Sequence, residues 1–201
     1  MTDDTLEARI AKADAALAKA RQNLLDLIRK RGPEEVTDVA FTGGDGKPVR
    51  LSQLFGGRKD LILIHSMGVR CPDVLWLDEL NGARVSLEDR ASLVVAGPDG
   101  VAEQKAYAKE RGWGFRMVSA AGTTFFRDME FEEAPGKIMP GISAFSKSGA
   151  QIVRQTYAYF APGDMFCGLW NCFDLLKDGS AGWFPKGMAD SWLARRLGWV
   201  E

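Results

Sequence analysis

The sequence predicts an α/β fold, a sheet covered by helices, with an N-terminal helix and a helical C-terminal extension. Three observations carry this. Apolar runs of strand length, LILIH at 61–65 and SLVVA at 92–96, are separated by stretches of helix length. From residue 61 to 119 the order is strand, helix, strand, helix, strand, which suits a sheet with helices packed on it. A chain of 201 residues, 46% of them apolar, can bury a full core.

Residues 4–31 read as one long helix. Leu6, Ile10, Ala13, Leu17, Leu24 and Ile28 recur at helical spacing among good helix formers, and Gly32-Pro33 stops the run. Such a helix is expected to lie on its own domain or on a partner subunit. A short strand is expected at 36–41, a turn at GGDGKPV, and a short helix or turn in LSQLFGGRKD. The strand 61–65 leads to a helix over 72–81 that Asn81-Gly82 ends. After strand 92–96 comes a helix over 99–111, with Asp99 as its N-cap and Gly112 as its stop, then a strand at 115–119. FFRDMEFEEAPG reads as an irregular connection. ISAFSKSGAQIVRQTYAYF, 142–160, reads as a hairpin with its turn at Lys-Ser-Gly. The tail reads as helices over 165–177 and 188–197, with Trp183, Trp192 and Trp199 clustered there. The expected organisation is thus an arm at 1–33, a domain at 34–162 and an extension at 163–201.

Composition excludes several classes. A net charge of -1 gives no general nucleic-acid surface. No segment reaches the roughly 18 apolar residues of a membrane-spanning helix, and MTDDTLEARIAK lacks the basic and apolar regions of a secretory signal. Three cysteines, Cys71, Cys167 and Cys172, form no disulfide framework, so a cytoplasmic setting is expected. His65 is the only histidine and no close CxxC pair exists, so no metal site is expected. Nucleotide and redox-cofactor fingerprints are lacking as well, and no cofactor is predicted.

Cys71 is the candidate for chemistry. It stands between strand 61–65 and a helix whose first residue would be Pro72, where a missing N–H costs nothing. A cysteine beside a helix N-terminus is expected to have a pKa below the ordinary value of about 8.5. Arg70 could favour the thiolate or face water, whereas Asp73 would oppose it. His65 could serve as a base only within hydrogen-bond reach, and a satisfied histidine at the strand end is the plainer expectation. Cys167 and Cys172 read as small hydrophobes and Trp76 as core. Tyr157 and Tyr159 share one face of a strand, lining a groove or facing solvent.

A strand, a cysteine, a helix, a further β–α–β run and then a proline before a hairpin follow the thioredoxin plan. More specifically, the chain resembles the thioredoxin-like family of uncharacterised bacterial proteins known as DUF899. The resemblance runs through LLDLIRKRGPEEV, VAFTGGDGKPVRLSQLFGGRKDLILIHSM, RCPDVLWLDEL, GWGFRMVSAAGTTF, PGISAFSKSG and IVRQTYAYF, in this order. It implies a thioredoxin-like three-layer fold and a site-shaping Pro140, cis and facing Cys71. Members commonly carry a second cysteine where this chain has Val74, so a neighbouring dithiol pair is missing. The expected function is a monothiol or peroxiredoxin-like thiol oxidoreductase using Cys71, with Arg70 beside it as a further catalytic residue and Pro140 shaping the site. The rival is a redox-inactive thioredoxin-fold binding protein. Expected partners are a thiol, small molecule or peptide and, given the six tryptophans, a second copy of the chain.

Overall fold

The computed structural model describes residues 5–183. Its elements are α1 (Leu6–Arg29), β1 (Glu34–Glu35), β2 (Ala40–Thr42), β3 (Pro48–Arg50), α2 (Leu51–Leu54), β4 (Asp60–His65), α3 (Val74–Gly82), α4 (Arg84–Arg90), β5 (Ser92–Gly97), α5 (Val101–Arg111), β6 (Arg116–Ser119), α6 (Phe125–Asp128), β7 (Glu132–Ala134), β8 (Lys137–Ile138), β9 (Gly141–Ser148), β10 (Gln151–Tyr159) and α7 (Leu169–Phe173). The main sheet has the order β1-β10-β9-β4-β5-β6-β2-β3. Its centre is parallel from β4 through β5 to β6, and β9 returns antiparallel beside β4.

The two sheet faces bury two separate cores, and the alternation along β4 divides them. Leu61 and Leu63 join Phe41, Leu54, Val94, Phe131 and Phe145 on one face. Ile64 joins Val74, Trp76, Leu77, Val95 and Phe160 on the other. Strands β4 and β5 are covered on both faces, which is why they read as continuous apolar runs. The fold is therefore α/β and three-layered, as the sequence predicts.

Differences are local. Helix α3 starts at Val74, not Pro72, and Asp73 takes the N-cap place without a side-chain cap bond. Asn81-Gly82 does not end helical structure. Ala83, at φ -87° and ψ 0°, leads straight into α4. Asp99 does not cap α5, whose N-cap is Gly100, because its carboxylate is used elsewhere. The irregular connection contains α6 and β7, which pairs with β8 just beyond it in a small hairpin. The 165–177 helix is reduced to α7, and the expected helix at 188–197, with Trp192 and Trp199, lies outside the described residues. No described helix is long and apolar enough to cross a membrane.

Candidate functional site

The loop 66–73 joins β4 to α3 at the end of the parallel strands and carries Cys71. Two carboxylates hold it. Asp73 Oδ2 accepts a hydrogen bond of 3.0 Å from the Met67 N–H, and Asp99, reaching over from the β5–α5 connection, accepts one of 2.8 Å from the Val69 N–H. Gly68 lets Asp99 approach: its φ is +120°, and a Cβ there would lie 2.9 Å from Asp99 Oδ2. Arg70 follows in the left-handed region at φ 61°.

Cys71 is half-buried, and its Sγ donates to the Met67 carbonyl at 3.8 Å. Its pKa is pushed up to about 12, first by burial and then by the negative charges of Asp73 and Asp99. This overturns the expected low pKa. The thiol sits in a turn ahead of the helix, bonded to the Met67 carbonyl, and the nearby charges have the wrong sign. Arg70 does not compensate. Its guanidinium pairs with Glu110 at 3.0 Å and lies 5.4 Å from the Tyr107 ring centre, with a side chain 70% exposed.

Asp73 is the residue whose weight in the site exceeds its sequence signal. It is fully buried, its Oδ1 has no hydrogen-bond partner, and burial raises its pKa to about 7 against the bonds from Ser66 and Met67. Its spacing from Cys71 marks it as an opposing charge, but burial is a tertiary property. Asp99 is 28 residues beyond Cys71, and nothing local to either residue signals the contact.

Pro140 is buried at the entry to β9. The register pairs His65 with Gly141, so Pro140 lies at the sheet end where the Cys71 loop departs. The Met139–Pro140 peptide is trans, contrary to expectation, since no cis peptide occurs among the described residues. The chain enters β9 extended, with the Met139 N–H bonded to the Phe131 carbonyl and the Pro140 carbonyl accepting from Phe160. Gly141 is needed there, because a Cβ would collide with the Ala158 carbonyl and the Phe131 ring.

His65 belongs to the opposite sheet face from α3. It is wholly buried, stacked 3.7 Å from Phe131 and 5.3 Å from Phe125, and shares a 2.8 Å hydrogen bond with Ser143 Oγ through Nε2. Burial, then the charge of Arg154, holds its pKa well below the usual histidine value. It is a neutral core histidine. Trp76 is core as expected. Cys167 is buried and its thiol is likewise pushed up to about 12, chiefly by burial, while Cys172 is exposed. No cluster suited to a metal ion exists among the described residues.

These features define a protein of the thioredoxin-like fold class with one cysteine at the β4–α3 junction. The chain belongs to the family described as "Bacterial protein of unknown function (DUF899)", whose profile matches residues 5–196. A comparison with functionally curated proteins finds no match. Among solved structures, it is similar to reduced Prx3 of Vibrio vulnificus in complex with hydrogen peroxide, with a TM-score of 0.52 and 14% identity over 66% of this chain and 88% of that one. It is similar also to a thiol peroxidase from Chromobacterium violaceum, with a TM-score of 0.52 and 14% identity over 63% of this chain and 74% of that one. At such identities the likeness is one of fold.

Proposed function

We propose that this chain is a thioredoxin-fold binding protein whose Cys71 stays a protonated, weakly nucleophilic thiol at neutral pH. The observation that carries this reading is the setting of Cys71, whose burial, reinforced by the two carboxylates Asp73 and Asp99 that anchor its loop, pushes the thiol up to about 12. The thiolate, not the thiol, is the nucleophile, and a thiol so placed is almost wholly protonated near neutrality. Val74 leaves no neighbouring thiol to complete a dithiol cycle.

A second reading, a peroxiredoxin-like monothiol oxidoreductase, is favoured by the incomplete burial of Cys71 and by its place at the β4–α3 junction. In that case the thiolate would attack peroxide, forming a sulfenic acid and releasing the reduced oxygen as water or alcohol.

Iodoacetamide labelling against pH, followed by peptide mapping, tests the choice. Cys71 should label more slowly than exposed Cys172 at neutral pH, and its rate should still be rising at alkaline pH. Added hydrogen peroxide should leave Cys71 free of sulfenic acid, as read by dimedone trapping. Fast labelling of Cys71 with ready dimedone adduct formation would favour the oxidoreductase instead.

A further inference from the structure

Helix α1 extends for 24 residues and has no buried residue. Leu25 and Ile28 are half-buried and line a cavity against Ile62, Ile142 and Ala158 of the sheet, so one side of the last turns rests on the domain. The stripe beside it is left open. Leu6, Ile10, Leu17, Leu24 and Leu27 are 48–69% exposed. With Ala13 and Ala20 they form the series 6, 10, 13, 17, 20, 24, 27, whose spacings alternate strictly between four and three. That is a repeat of 3.5 residues over three heptads, on which two helices can wrap, while Ile28, which continues the same run at a period of 3.6, is the residue that rests on the sheet.

We infer that α1 forms a parallel, two-stranded coiled coil with α1 of a second copy of this chain. A second copy supplies the same period and length. The flanking charges fix the direction. In the parallel register Arg9 flanks the seam opposite Asp14 of the partner subunit, twice by symmetry, and no like charges meet. Either antiparallel register of these layers brings like charges together, Arg9 with Lys30 of the partner subunit in one and Asp14 with Asp14 of the partner subunit in the other. The stripe runs beside the docked Ile28, and its leucines and Ile10 are already exposed, so the domain does not have to rearrange to free it. Two alanine layers in so short a seam make the association reversible, and it is expected at tens of micromolar protein.

Sedimentation equilibrium of the full chain tests this. The mass should reach twice 22.1 kDa at tens of micromolar protein. Leu17→Glu with Leu24→Glu should return it to 22.1 kDa with the melting of the domain unchanged, because neither side chain is in a core. A monomeric wild type overturns the proposal, as does a dimer that survives both glutamates. Direction is read from charge reversal. Arg9→Glu should weaken the dimer by about threefold or more, and Arg9→Glu with Asp14→Arg should restore it. Tighter association on Arg9→Glu would mean antiparallel helices and would overturn the parallel arrangement.

Discussion

Trp76→Ala is expected to lower stability by about 3–5 kcal/mol, the range for deleting a large aromatic from a close-packed core. The indole is wholly buried on α3, and its ring lies 5.4 Å from that of Phe160 and almost parallel to it. Its Nε1–H donates to Asp164 at 3.0 Å, and Asp164 also accepts from the Ala161 and Phe166 N–H groups. One side chain thus fastens α3 to the sheet and to the segment that leaves β10. Asp164 keeps its two backbone donors in the variant, so most of the loss comes from the empty volume. Urea denaturation followed by circular dichroism measures it, with the slope of the transition expected to hold constant. A loss under about 1 kcal/mol would show that the second core does not depend on this ring.

Asp73→Asn is expected to change both the pH dependence of stability and the reactivity of Cys71. The folded carboxyl has a pKa of about 7 against an ordinary 3.8. The native state therefore holds a proton that the unfolded chain releases between those values. Its contribution is full below the unfolded pKa and is lost as pH rises through 7, so stability should fall across this window. Each pKa unit corresponds to about 1.4 kcal/mol, which puts the fall on the order of 4 kcal/mol. Burial raises the pKa of Asp99 and Asp164 in the same direction. The asparagine variant should show a flatter profile of melting temperature between pH 4 and 7. The flattening is the readout rather than the absolute stability, since the amide places a polar group where Oδ1 has no partner. Cys71 should at the same time label about tenfold faster, the gain for one pKa unit. It should remain above the ordinary thiol value, because burial and not Asp73 is the larger cause. An unchanged profile and an unchanged labelling rate would remove Asp73 from this account.

The parts of the fold that the sequence makes legible are those fixed by local pattern. β4 and β5 announce themselves because both faces are buried, and α1 because its composition is helical along its whole length. α4 is hidden because Asn81-Gly82 looks like a stop, yet the backbone passes through it in helical geometry. The candidate site is legible only as a position. The order strand, cysteine, helix locates Cys71, but the sign of its pKa shift depends on burial and on Asp99, which the β5–α5 connection brings over. Asp99 itself looks like a helix cap, since its chain neighbours give no hint of the loop it holds. The trans peptide before Pro140 is likewise decided by how β8 hands the chain to β9.

The packing of His65 has a practical consequence. It is the only histidine in the chain, so its imidazole protons give a single, unambiguous set of proton NMR resonances. Two aromatic rings lie nearly parallel to it, at interplanar angles of 6° and 11°. Ring currents from the stacked rings should move those signals upfield, and a ring held neutral should leave them still while the pH is swept through the usual histidine range. The molecule therefore carries an intrinsic reporter of the first core. When that sheet face loosens, the signal should drift toward its free position and begin to titrate.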